Sequence, residues 1–323
     1  MMRALSILLL KIMILISPTA AFADTLQEQK AVLITGASSG LGRVMAETLA
    51  AEGYFVYAGA RKDKDLVELS AIENIQGVRL DVNKQDQIDA AVKTISEAGR
   101  GLYGLVNNAG VVVVQPLIEI EEEDFDFQME VNVYGPYRVT RAFAPLIIES
   151  KGRISIIGSI SGTLSSATWG PYSMTKFAME AFADALADEM KSFGVEVSLI
   201  EPGAYRSNIG RSALERMAER NQSADDSQFK EAMDDSVNWL SLFEEDHGDP
   251  TEVAAVVMKA LFDDDPKPRY LIVPTQDQAY WTINRAIERM VEQNHDHKYS
   301  YDREALIEML DAALAKQSGD PAQ

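Results

Sequence analysis

Tyr172 and Lys176 stand in a Tyr-x-x-x-Lys spacing, and Ser159 precedes them at the end of an apolar run. If residues 171–191 are helical, positions i and i+4 share a face, and the Lys176 ammonium lies beside the Tyr172 phenol. A phenol is a poor base, because its ordinary pKa of about 10 leaves little phenolate near neutrality. A fixed cation beside it favours the ionised form. Tyr172 could then exchange a proton with a substrate hydroxyl or carbonyl while Ser159 donates a hydrogen bond to the same oxygen. Ser159 and Tyr172 are thus the candidate substrate contacts. The spacing alone also occurs on ordinary helix surfaces, so its weight depends on what the chain places around it.

The elements that would position these groups begin at residue 30 with Lys-Ala-Val-Leu-Ile-Thr-Gly-Ala-Ser-Ser-Gly-Leu-Gly. A buried-type strand breaks into glycine and serine and then a helical stretch, 43–51. Gly36, Gly40 and Gly42 would let the loop wrap a pyrophosphate and aim the helix N-terminus at it. The spacing is Thr-Gly-x-x-x-Gly-x-Gly, and strand before with helix after is the context such a loop requires. Thr35, Gly36, Ser38, Ser39, Gly40, Leu41 and Gly42 are candidate cofactor contacts. A second strand is expected at 54–60. About 20 positions past the glycines an acidic residue would bind the ribose of NAD, whereas a basic one accommodates the extra phosphate of NADP. Ala60 stands where the acid would be and Arg61-Lys62 follows, which predicts NADP over NAD. Strands at 77–80 and 104–106 end in Asp81-Val82 and Asn107-Asn108-Ala109-Gly110. Polar strand ends of this kind converge on one crevice, adding Asp81, Val82, Asn108, Ala109 and Gly110 to the cofactor set.

A long helix is predicted at 124–148, with Asn132 inside it. Asparagine in a helix interior needs partners, and a backbone break near Gly135-Pro136 would supply them. Strands at 152–158 and 195–201 deliver Ser159 and Pro202-Gly203. The alternation of strand and helix gives an α/β, doubly wound parallel sheet in three layers, with right-handed crossovers.

Thr-Gly-Ala-Ser-Ser-Gly-Leu-Gly at 35–42, Asn-Asn-Ala-Gly at 107–110, Asn132, Ser159, Tyr172-x-x-x-Lys176 and Pro202-Gly203 occur in the order of the short-chain dehydrogenase/reductase family, which the chain resembles over residues 30–275. The resemblance implies a one-domain Rossmann fold and NAD(P)-dependent interconversion of alcohols and carbonyls. It implies a tetrad in which Tyr172 is the acid/base and Lys176 lowers its pKa and holds the nicotinamide ribose. Ser159 would orient the substrate oxygen, and Asn132 would hold a proton-relay water. Ser207 stands where the family often has a threonine against the cofactor carboxamide. The wording around 170–190 and 197–207 looks most like the branch of retinol and 17-beta-hydroxysteroid dehydrogenases, which suggests a bulky apolar substrate.

The net charge of -20 argues against nucleic acid and against anionic lipid as partners. With no cysteine there is no disulfide and no thiolate chemistry. His247, His295 and His297 lack the helical spacing of a zinc pair, so no metal is expected. Arg3, an apolar run from Ala4 and Ala21-Phe22-Ala23 mark residues 1–23 as a signal peptide or membrane anchor. Export to a periplasmic location, or membrane association through that segment alone, is expected, with a cytoplasmic location as the alternative. Residues 24–323 then form one domain, carrying an insertion at about 205–248 that either closes over substrate or packs as a surface helix pair. The tail from Gln276 is expected to be an amphipathic helix packed on the core, with a subunit or membrane contact as the alternative; a homo-oligomer is expected. Two rivals to an oxidoreductase are weighed. One is an idle dinucleotide-binding sensor or scaffold, disfavoured by the intact tetrad; the other, an epimerase or dehydratase, is disfavoured by the glycine spacing.

Overall fold

Every residue of Ala31–Ile34 is buried, the pattern of a strand covered on both faces. It forms β1 of a seven-stranded, wholly parallel sheet in the order β3-β2-β1-β4-β5-β6-β7. The other strands are β2 (Phe55–Ala60), β3 (Ile75–Arg79), β4 (Gly104–Asn107), β5 (Arg153–Ile157), β6 (Glu196–Pro202) and β7 (Arg269–Ile272). The computed structural model describes residues 29–244 and 247–318. The expected leader at 1–23 lies outside them. Among the described residues no helix is long and apolar enough to cross a membrane.

Parallel neighbours need crossovers, and helices supply them: α1 (Gly40–Ala51), α2 (Asp63–Ser70), α3 (Gln85–Glu97), α4 (Glu122–Met129), α5 (Gly135–Glu149), α6 (Gly170–Met190) and α9 (Thr251–Phe262). Between β6 and α9 the chain inserts α7 (Ile209–Glu219) and α8 (Lys230–Ser241), and after β7 come α10 (Gln276–Asn294) and α11 (Arg303–Ser318). Alternate strand residues face opposite layers. Leu33 joins Tyr57, Leu105 and Phe143 on one face, and Val32 and Ile34 join Met45, Leu49 and Val257 on the other. The strand order reverses between β1 and β4, and at that switch point the strand ends open into a crevice.

Three expectations need correction. The single helix at 124–148 is broken, because a π-helical turn, Glu130–Tyr134, separates α4 from α5. Gly135 donates its N–H to Glu130 O five residues back, and a Cβ on Gly135 would come within 2.7 Å of Val82 Cγ2. The widened turn lets the helix pass close to the end of β3, and such turns mark functional sites. The β7 edge strand was not expected; only four residues long and nowhere fully buried, it carries little hydrophobic pattern. The tail is helical as expected, yet only the start of its first helix packs on the body of the domain. In α10 only Gln278 and Thr282 are buried, while Trp281, Ile283, Ile287 and Met290 are exposed.

Candidate active site

A cleft of about 440 Å³ opens at the carboxyl ends of the strands. One side is the β1–α1 turn. Gly36 and Gly40 adopt left-handed φ values of +67° and +54°, which favour glycine. A Cβ on Gly42 would lie 2.3 Å from Gly36 O and 2.5 Å from Asn108 Nδ2, so the start of α1 packs against the first glycine and the Asn108 amide with no room for a side chain. Thr35 lies behind this wall. Its Oγ1 accepts from the N–H groups of Asn108 (2.9 Å) and Ala109 (3.0 Å), and Asn108 Nδ2 donates to Thr35 O (2.8 Å). The two loops are thereby held as one unit.

The wall continues through Ser38, Ser39, Leu41, Arg61, Asp81, Val82, Ala109 and Gly110. Pro202, Gly203 and Ser207 line the cleft from the β6 side. Gly203 is packed against Gln278 at the start of α10, whose Oε1 accepts from Ala204 N at 2.9 Å. Of the residues expected at the cofactor, Thr35 and Lys62 do not line the cleft. Thr35 acts through its loop contacts, and Lys62 is the exposed residue immediately before α2.

Two residues past the end of β5 stands Ser159, whose Oγ accepts from Ser161 N at 3.0 Å and so fixes the turn. Helix α6 brings Tyr172 and Lys176 to the same cleft; both are 8% exposed. Lys176 Nζ lies 5.6 Å from the Tyr172 ring centre and donates to Ile157 O at 2.9 Å. The charge relation between them differs from the expected one. Burial pushes the Tyr172 phenol up to about 12, and the group that draws it back is the hydrogen-bonded Ser159 hydroxyl, not the ammonium. Burial also lowers Lys176 to about 8, against the pull of Glu180. In a dry pocket desolvation outweighs the i,i+4 neighbour.

Asn132 sits in the π-turn and does not line the cleft. Its amide clasps the Val111 peptide, accepting from Val111 N (2.8 Å) and donating to Val111 O (2.9 Å), and it also donates to Thr175 Oγ1 (3.1 Å). Residue 132 thus ties the loop after β4 to the helix that carries Tyr172.

Sequence reasoning missed a clamp over the cleft. Asp124, fully buried, accepts from Arg216 Nε (3.1 Å) and Nη2 (2.5 Å), from Arg220 Nε (2.7 Å) and from Gln222 Nε2 (2.6 Å). Arg216 also stacks 3.9 Å from the Phe127 ring centre. The pairing spans more than 90 residues, and no local pattern announces it. It fixes α7, whose Ile209, Ser212, Ala213 and Arg216 line the cleft with Phe243. The α7–α8 pair packs its own apolar cluster of Ala213, Met217, Met233 and Leu240 against Val112, Val114 and Tyr172.

A Rossmann sheet with a glycine turn, a polar strand-end crevice and a Tyr-x-x-x-Lys helix is the architecture of one class of dehydrogenases. The chain belongs to the short-chain dehydrogenase family, whose model matches residues 30–218. It is 41% identical over 186 residues to the mitochondrial D-beta-hydroxybutyrate dehydrogenase of Bos taurus, covering 54% of each chain. It is 37% identical over 197 residues to the 17-beta-hydroxysteroid dehydrogenase type 6 of Homo sapiens, covering 59% of this chain and 62% of that one. The chain thus spans little more than half the length of the first of these curated relatives, and a retinol dehydrogenase and a 17-beta-hydroxysteroid dehydrogenase, members of the expected branch, are among those it matches. It is also similar to the solved structure of a short chain dehydrogenase/reductase from Burkholderia phymatum in complex with NAD. That match has 25% identity and a TM-score of 0.71, over 85% of this chain and 99% of that one.

Proposed function

We propose that the chain is an NADP-dependent oxidoreductase that interconverts an alcohol and its carbonyl, acting on a bulky apolar substrate. The observation that carries this reading is that Ser159, Tyr172 and Lys176 line the same cleft as the Gly36–Gly42 cradle. The glycine positions that no Cβ could occupy fit a pyrophosphate approaching bare backbone. The dinucleotide, when bound, supplies or takes up the hydride. Asp81, Val82, Asn108, Ala109 and Gly110 would flank its adenine and ribose, and Pro202, Gly203 and Ser207 its nicotinamide end. Arg61 supplies the cationic side chain for a 2′-phosphate, and the acid two positions on, Asp63, is paired with Arg79.

A phenol pushed up to about 12 holds its proton at neutral pH and is therefore poised to donate it to a carbonyl oxygen. Ser159 bonds the same phenol and would orient that oxygen. In the direction of oxidation Tyr172 must accept a proton instead, which alkaline conditions favour. Lys176 would hold the ribose, and Asn132 would support the proton path through the Val111 loop. Val112, Phe127, Val131, Ile209, Ala213 and Phe243 form an apolar part of the remaining wall suited to a bulky substrate, beside Ser212, Glu215, Arg216 and Glu219. The insertion at 205–248 serves as the cover over it.

A homo-oligomer fits the apolar side chains that α10 leaves on the surface, and sedimentation velocity tests it. Residues 1–23 are read as an export signal or anchor, which cell fractionation and sequencing of the mature N-terminus would decide. The cofactor is tested by kinetics with NADP and NAD on a panel of ketones and secondary alcohols, including steroid and retinoid carbonyls and 3-hydroxybutyrate. NADP should be preferred, and Arg61→Ala should cut that preference about tenfold or more, roughly one ionic contact. A preference for NAD in the wild type would overturn the cofactor reading.

A further inference from the structure

Tyr172, Lys176 and Glu180 lie at i, i+4 and i+8 along α6 and share one face of it. Glu180 is not a solvated surface acid, since its Oε1 is buried and meets no N–H or hydroxyl donor. Gly162, in the turn that Ser159 opens, rests directly on this carboxylate, and a Cβ there would come within 2.5 Å of Glu180 Oε1. Glu201 approaches from β6 with its side chain only 7% exposed, on a strand whose neighbours are all buried. Glu180 Oε2 and Glu201 Oε2 lie 3.0 Å and 3.8 Å from the same Arg269 Nε, so two largely buried carboxyl groups face one guanidinium, and a proton shared between them would relieve their repulsion.

The charges facing this pair come from two elements. Helix α6 contributes Lys176 and Asp184, and β7 contributes Arg269, whose Nη2 lies 2.7 Å from Glu180 Oε2 and 3.1 Å from Asp184 Oδ1. Arg269 Nε is 3.8 Å from Glu201 Oε2. Burial first, and Glu180 second, push Glu201 up to about 7.

We propose that Glu180 and Glu201 form a proton-sharing pair that positions Lys176 and sets the pH at which its ammonium is lost. While the pair holds its proton it carries a single negative charge, which Arg269 largely offsets. When that proton leaves in the neutral range, a second negative charge appears close to Lys176. The ammonium is then retained into the alkaline range, where burial alone would strip it. The Glu180 carboxylate packs against Gly162 in the turn that Ser159 opens. This role rests on Lys176 being a site residue, as proposed above.

Competitive labelling with trace acetic anhydride between pH 6 and 11, read by mass spectrometry on the Lys176 peptide, reports this ionisation without any substrate. Glu180→Gln should lower the Lys176 midpoint by about 1 unit, the scale of one close opposite charge. Glu180→Asp should restore it towards the wild-type value. Glu201→Gln keeps a donor for Glu180 but cannot ionise, and should lower the midpoint in the same direction without unfolding the chain. A midpoint unchanged in both glutamine variants would overturn the proposal and leave the pair a structural contact. If Glu180→Gln loses its thermal transition, the Glu201→Gln midpoint decides alone. Wild-type protein that labels normally yet turns over no substrate would refute the oxidoreductase reading and not this one.

Discussion

Replacing Asp124 by asparagine removes the charge on which two guanidinium groups converge, and the structure sets the size of the effect. Breaking a fully buried ion pair by deleting one partner costs about 3–5 kcal/mol. Here Arg216 and Arg220 keep 25% and 26% of their side-chain surface in water, so part of that cost is recovered by solvation. The asparagine oxygen can still accept from one guanidinium, while its NH2 group faces the other and repels it. A loss of about 2–4 kcal/mol follows. It should fall on α7 and α8, which have their own small apolar cluster, and much less on the sheet. Native-state hydrogen exchange by mass spectrometry would then show protection of residues 209–241 falling by roughly 30- to 1000-fold, the equivalent of that energy. Peptides of β1, β4 and β5 should change little, and KM for substrate should rise more than kcat falls. Protection of 209–241 within threefold of wild type, or a loss shared equally by the sheet, would refute the reasoning that this clamp holds the cover.

Two further outcomes follow from the geometry. Gly42→Ala would drive a methyl group into Gly36 O and Asn108 Nδ2, and NADPH affinity measured by fluorescence should fall at least about tenfold; unchanged affinity would remove the glycine turn from the cofactor site. Lys176→Met tests the cost of the buried ammonium. Its folded value of about 8 lies below the ordinary 10.5, so below pH 8 both states are protonated and folding carries the full desolvation penalty. Stability of the wild type therefore rises with pH between about 8 and 10.5, as the folded state releases its proton first. The variant should be more stable at pH 7 by about 1–2 kcal/mol after loss of the bond to Ile157 O, with the difference shrinking above pH 8. Urea titrations at pH 7 and pH 10 check this, and a variant less stable than wild type at pH 7 would show that the hydrogen bond outweighs the desolvation.

The motifs that meet at the cleft were legible because each is local: a strand end, a glycine turn, a helix spacing. Asn108, Ser159, Tyr172 and Lys176 meet because successive parallel strands deliver their ends to one edge, which the alternation of strand and helix already implies. The π-turn at 130–134 was not legible, since it depends on Gly135 meeting Val82 from a distant loop. The Asp124 clamp depends on a contact between segments far apart in sequence. Glu180 and Glu201 did leave a signal, one being a turn beyond Lys176 and the other a charge inside an apolar strand, but their meeting requires the sheet. The direction of the Tyr172 shift was misjudged because sequence spacing displays the neighbouring cation and hides the burial that outweighs it.

The account stands on Tyr172 as the group that gives and takes the proton. Tyr172→Phe keeps the ring, its apolar contacts and the edge-to-face packing on Trp169 while removing the hydroxyl. NADPH oxidation by this variant, measured beside NADPH binding with a carbonyl that the wild type reduces, tests the claim directly. The account predicts a rate at least about 100-fold lower, the scale of a lost general acid, with NADPH affinity within about threefold of wild type. A variant that reduces the same carbonyl at close to the wild-type rate would contradict it.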